Sequence, residues 1–190
     1  MDIQQIQKNV IDIFDLYEKY GQSDYIGEPV SQLDHMIQTA QLALEDGYGD
    51  EVILAAFFHD IGHLCEFIMP VRQMDDVGVA DHEKIGGAYL RGKGFSEKIK
   101  QLVESHVQAK RYLALRKPAY YLNLSPASKI TLNHQGGIMT ETEAKLFEND
   151  PLLSLYIKLR EWDDKAKEVN KSYESLDNFK QLSIRHLLQQ

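Results

Sequence analysis

Cysteine is almost absent from this sequence. Cys65 is the single one in 190 residues, which excludes an internal disulfide framework and fits a reducing compartment. Basic charge is also scarce: 21 Lys and Arg face 29 Asp and Glu, for a net charge of −8. That balance argues against a nucleic-acid binder, which would carry a basic face. It leaves an anionic small substrate open, because bound metal ions reverse the local field. No run approaches the roughly 18 apolar residues that span a bilayer. The start, Met1-Asp2-Ile3-Gln4-Gln5, has no basic region before an apolar core, so no signal peptide is expected. Repeats, linkers, low-complexity tracts and a convincing strand series are missing too. These absences lead us to expect a cytoplasmic protein without membrane contact, nucleic-acid partner or obligate protein partner.

What is present reads as helix after helix. With 43% hydrophobic and 26% charged residues, the chain has the composition of a globular protein and the length of one domain. Residues 2–20 place Ile3, Ile6, Val10, Ile13, Phe14 and Tyr17 at three- and four-residue spacings, with Gly21 as a stop. Ser31 opens a second helix, with Leu33, Ile37, Ala40 and Leu44 as its buried face. Asp50 is expected to cap the helix that runs into His59, and Asp81 the one that carries His82. Ser96 caps a helix bearing His106 and Lys110, and Ser125-Pro126 another, closed by Gly136-Gly137. Thr140 to Glu143 is a capping box. Asn149-Asp150-Pro151 opens a long helix to Asp163-Asp164, and a last helix covers about 175–188. The fold class expected is all-α.

The stretch from Leu54 to His63 carries the chemical signal. An apolar run, which reads as buried helix, ends in His59, Asp60, Gly62 and His63. A core seldom keeps a neighbouring His and Asp unless they are paired or bind metal. His35, His82, His106 and an aspartate at 163 or 164 fall on other helices where they could converge. Imidazoles and carboxylates suit iron, manganese, zinc or nickel, and a carboxylate has two oxygens with which to bridge two ions.

This ordered set, His…His-Asp…Asp with two further histidines, resembles the HD-domain superfamily over roughly residues 25–165. The resemblance implies a single HD domain over 1–190, with the terminal helices packing on a helical bundle that holds metal in its core. It assigns His35, His59, Asp60 and Asp163 to one metal and Asp60, His82 and His106 to the other, preferring Asp163 over Asp164 because it follows the aromatic Trp162. Within the superfamily the chain resembles a small branch with mixed-valent di-iron centres, which holds an inositol oxygenase and a phosphonate oxygenase, and it looks most similar to the latter, the 2-amino-1-hydroxyethylphosphonate dioxygenases. That likeness implies two iron ions, Fe(II) and Fe(III), with O2 as co-substrate, and C–P cleavage of an aminophosphonate to glycine and phosphate. A trimethylammonium analogue giving glycine betaine is a close variant. The implied contacts are His63, Lys110, Ser128, Thr131 and Gln135 around the phosphonate, Glu28 on the substrate ammonium, and Tyr25 as a lid over one iron; Tyr25, His63 and Lys110 form the catalytic set. Spacing agrees in part: Lys110 follows His106 by one helical turn, and Ser128, Thr131 and Gln135 lie at i, i+3 and i+7. The competing reading is an HD phosphohydrolase that activates water on a nucleotide or other phosphate ester. His134 and His186 fit no motif position and are expected to be structural or at the surface, Cys65 a small buried residue, and Tyr120 and Tyr121 core or rim.

Overall fold

A computed structural model of the chain describes residues 1–25, 27–169, 171 and 174–190. They form an all-α bundle of eleven helices and one short 3-10 turn, Cys65–Phe67. No strand occurs among the described residues, only isolated bridges pairing Asp24 with Ser31 and Gln73 with Val79.

The centre of the bundle is α3, Asp50–Phe58, whose residues Val52 to Phe58 are all buried. A helix apolar all round must be covered all round, and α3 is packed by α2 (Gln32–Glu45), α6 (Glu97–Arg116), α10 (Leu153–Lys165) and α11 (Leu176–Leu187). Helix α1, Ile3–Tyr20, adds Phe14 and Tyr17, whose rings stack on Phe57 at 5.7 and 4.7 Å. From α11, Phe179 stacks on Phe57 at 4.4 Å. Truncating such a ring to alanine costs about 3–5 kcal/mol, so this aromatic layer is a rigid floor beneath the C-terminal end of α3, where His59 and Asp60 leave the helix.

Local signals set most boundaries. Asp2, Ser31, Ser96, Ser125 and Thr140 each accept a backbone N–H at a helix start, and Thr140 with Glu143 forms the full capping box. Asp150 accepts from the Leu152 N–H at 2.8 Å just ahead of α10. Three expectations need correction. Asp50 is the first residue of α3 rather than its cap, which is Gly49, because its carboxylate is drawn 2.8 Å from Arg185 of α11. Asp81 precedes α5 (His82–Gly92) in a left-handed conformation, φ 56°, with its carboxylate turned to Arg72 and Lys84, so its side chain caps nothing. Leu44 is 47% exposed, because the buried stripe of α2 runs through Met36, Ile37, Ala40 and Ala43. A short α7, Pro118–Asn123, was not anticipated, although Pro118 at its first position is a start signal. Helix α8, Pro126–His134, stops one residue short of Gln135, and α9 covers Glu141–Phe147.

His186 is structural: its Nε2 accepts the Ser96 N–H at 3.3 Å and its ring stacks on Phe95. His134 lies at the surface beside Asp75, and Cys65 is buried.

Candidate metal centre and substrate cleft

The chain breaks its helix where the site needs it broken. His59 ends α3, Asp60 precedes the short α4 (Ile61–Leu64), and His63 therefore sits on a new helix rather than one turn further along the old one. Gly62 makes the turn possible. A Cβ on it would lie 1.9 Å from the His82 carbonyl oxygen, so only glycine lets α4 touch the start of α5. That contact brings His82 opposite Asp60.

Six buried side chains from α2, α5, α6, α10 and, for His59 and Asp60, the α3–α4 junction meet there. Asp60 Oδ1 is 3.3 Å from both His82 Nε2 and His106 Nε2. Its other oxygen, Oδ2, is 3.3 Å from His59 Nε2 and 3.7 Å from His35 Nε2. Asp163 Oδ1 closes the second group, 3.3 Å from His35 Nε2 and 3.9 Å from His59 Nε2. One carboxylate thus faces two histidine pairs with separate oxygens.

The tautomers follow from the outer contacts. The Nδ1 atoms of His35, His59, His82 and His106 lie 2.9, 2.8, 3.2 and 2.7 Å from the carbonyl oxygens of Ala166, Ala56, Val79 and Val103. A carbonyl only accepts, so Nδ1 carries the hydrogen and Nε2 of the neutral ring carries a lone pair. Those lone pairs point at one another, 3.1 Å apart in both the His35–His59 and His82–His106 pairs. Paired lone pairs at that distance repel unless a cation sits between them. Asp163 Oδ1 is, in addition, a buried acceptor with no hydrogen-bond partner among the described residues. The donor set therefore fits two cations, one held by His35, His59, Asp60 and Asp163, the other by Asp60, His82 and His106. Asp60, His63 and His82 also approach one another, but His63 Nδ1 accepts the Val79 N–H at 3.2 Å, which leaves its Nε2 as a donor.

The charges respond to this crowding. Burial opposes ionisation of His59, yet the Asp60 and Asp163 carboxylates outweigh it and raise His59 to about 9. Burial likewise disfavours charged Asp60, but His59 and the other imidazoles hold it well below the carboxylate range. Asp163 is held low against burial chiefly by Arg160. A bound metal cation would take the place of the proton that these carboxylates otherwise favour on His59.

Arg160 escaped the sequence reading. It is 4% exposed, donates from Nη1 to Asp163 Oδ2 at 2.6 Å, and pairs through Nη2 with Asp164. Its Nε donates to Tyr120 Oη, which donates onward to Asp164 Oδ2 at 2.7 Å. Asp163 and Asp164, indistinguishable by chemistry, are thereby sorted: Arg160 takes one oxygen of Asp163 and leaves Oδ1 to the histidines, while Asp164 is occupied behind it. The available signal was an arginine three and four residues before two aspartates on one helix.

A cleft of about 590 Å³ opens onto Asp60, His82, His106 and Asp163. Lys110, His63, Ser128, Thr131, Gln135, Tyr25 and Glu28 all line it, so the expected contact residues share one space. Lys110 is buried and donates to Thr131 Oγ1 at 3.0 Å; burial and the nearby Arg160 lower its pKa to about 7. Burial and His82 push His63 down to about 3, so it is neutral at physiological pH. Tyr25 stacks on His35 at 4.0 Å, and desolvation with the Asp60 and Asp163 carboxylates holds its phenol well above its usual value. Gln32, one turn ahead of His35, also lines the cleft with a buried Oε1 that has no partner among the described residues, and was not foreseen. Glu28 is already partnered, by Ser125 and by Lys167, a lysine the sequence reading passed over.

Comparison with known proteins agrees with this geometry. Residues 33–170 match the HD domain family. The chain is 45% identical over 186 residues to an uncharacterised protein of Acanthamoeba polyphaga mimivirus, covering 98% of this chain and 85% of that one. It is 39% identical over 156 residues to the [1-hydroxy-2-(trimethylamino)ethyl]phosphonate dioxygenase (glycine-betaine-forming) of Leisingera caerulea, with 82% and 78% of the two chains covered. To the hydroxymethylphosphonate dioxygenase of Gimesia maris it is 37% identical over 163 residues, covering 84% and 79%. With that match across most of its length and the His-Asp centre in its core, the chain belongs to the HD domain family.

Proposed function

We propose that this protein is a di-iron dioxygenase that cleaves the C–P bond of a 1-hydroxyphosphonate, with 2-amino-1-hydroxyethylphosphonate as substrate and glycine and phosphate as products. The observation that carries the reading is Asp60, whose two oxygens face two separate histidine pairs at the floor of a cleft lined by phosphonate-compatible donors. The names of two relatives, both phosphonate dioxygenases, support the reaction class. An iron pair bound by His35, His59, Asp60, Asp163, His82 and His106 would supply the oxygen activation.

The protein's own residues supply orientation. Lys110 offers a cation to the phosphonate, and Ser128, Thr131, Gln135 and the His63 Nε2–H offer neutral donors on the same side. Glu28 and Gln32 line the same cleft with acceptors for the amino group. Tyr25, stacked over His35, would shield that side of the centre from solvent before substrate binds. Addition of O2 across the substrate balances as one glycine and one phosphate, so no further reductant is consumed. Glu28 suits a trimethylammonium group as well, but among the described residues Tyr25 is the only tyrosine, tryptophan or phenylalanine lining the cleft, short of an aromatic cage.

The test is oxygen uptake by iron-loaded protein given racemic 2-amino-1-hydroxyethylphosphonate. Uptake matched by equal phosphate and glycine is the expected result. Phosphate release from nucleotides without oxygen would replace this reading with a phosphohydrolase.

A further inference from the structure

Lys167 lies just beyond α10, in a segment tied down on both sides of it. The Ala166 carbonyl accepts His35 Nδ1–H at 2.9 Å, and the Glu168 N–H and C=O bond the Gln38 side chain at 3.0 and 2.9 Å. With the backbone anchored along α2, the Lys167 side chain reaches Glu28. Its Nζ is 2.6 Å from Glu28 Oε1, the same oxygen that accepts from Ser125 Oγ at 2.7 Å. The two side chains are only 18% and 10% exposed, so solvent screens the pair weakly. Glu28 lines the cleft, whereas Lys167 stands behind it.

A bare carboxylate at the edge of a cleft attracts a cationic substituent. A carboxylate already joined to an ammonium presents almost no net charge there, and a second cation must share it with the first. We propose that Lys167 is a specificity-determining residue: by neutralising Glu28 it weakens selection for a substrate ammonium and lets the pocket take 1-hydroxyphosphonates that carry no amino group. The inference rests on the phosphonate reading above and deepens it. It identifies the substrate class as 1-hydroxyphosphonates with or without a cationic second carbon, and it makes Glu28 alone an insufficient mark of an amine-specific pocket.

The test is anaerobic binding, by calorimetry, of two ligands to the iron-loaded protein: 2-amino-1-hydroxyethylphosphonate and hydroxymethylphosphonate. Lys167→Met is expected to raise the affinity ratio in favour of the ammonium-bearing ligand on the order of tenfold, the size of one hydrogen-bonded charge contact. Lys167→Arg, which keeps the charge, should hold the wild-type ratio. On a Glu28→Gln background the effect of Lys167→Met should vanish, since both residues act through one contact. A ratio unmoved by Lys167→Met, or moved equally by Lys167→Arg, overturns the inference while leaving the dioxygenase reading intact. Failure of both phosphonates to bind the wild type overturns the two together.

Discussion

The two halves of the metal centre are built from the same residue types but differ in access. His35 and His59 are 0% exposed and do not line the cleft, with Tyr25 stacked over His35. His82 and His106 line it directly, beside His63 and Lys110. The enclosed half has its own carboxylate, Asp163, held by Arg160, whereas the open half shares Asp60 and presents fewer protein donors. An ion with fewer protein donors keeps positions for exogenous ligands. The asymmetry leaves the His82–His106 pair facing the cleft, while on the other side only carboxylates reach it and the His35 ring lies under Tyr25.

Substitutions at the ligands should break this comparison in graded steps. Asp60→Ala removes the oxygen that each half depends on, so metal content should fall for both ions, with affinity down by at least about 100-fold and oxygen uptake lost. Metal analysis that still finds two ions with full activity would remove Asp60 from the centre. Asp163→Ala should empty only the enclosed half and leave close to one ion per chain, again without turnover. Loss of both ions would show instead that the halves fill as a unit. Arg160→Met keeps every ligand but frees Asp163 to rotate, and should weaken the enclosed ion by about 10–100-fold while sparing the open one. Equal weakening of both would make Arg160 a packing residue.

The same asymmetry marks how far the sequence was legible. Residues whose chemistry is unusual for a core, such as His59 with Asp60, announce themselves, and the helices that carry His35 and His106 could be placed from caps and apolar spacing, that of His82 from its apolar spacing and closing glycines. What stayed hidden depends on contacts far apart in the chain. Side-chain chemistry alone leaves Asp163 and Asp164 equivalent, with only the resemblance preferring Asp163; the structural cause is the direction Arg160 and the distant Tyr120 impose. Glu28 looked like a free acceptor because Lys167 lies 139 positions away. The cap at Asp50 failed for a similar reason, since Arg185, far along the chain, claims its carboxylate, whereas Asp81 is lost to the nearby Arg72 and Lys84. Gly62 was visible, but its purpose was not, since the backbone it makes room for belongs to His82.

The smallest effect sharpens the open half. Lys110 is 3% exposed, and its pKa is lowered to about 7 by burial and by Arg160, against the pull of Asp163 and Asp164. A lysine with a depressed pKa is charged below that value and neutral above it. An anionic phosphonate is drawn to the charged form, so kcat/KM should fall as pH rises through about 7. The ligand's own charge stabilises the ammonium, which places the corresponding fall in kcat at higher pH, because kcat reports the complex and kcat/KM the free enzyme. Lys110→Arg carries a charge that does not titrate in this range and should flatten the profile. Lys110→Met should lower kcat/KM about tenfold at pH 6 and remove the dependence, the loss expected for one charge-assisted hydrogen bond. If Lys110→Met kept the wild-type profile, the titrating group would lie elsewhere, and the open half would owe its affinity for anions to the metal alone.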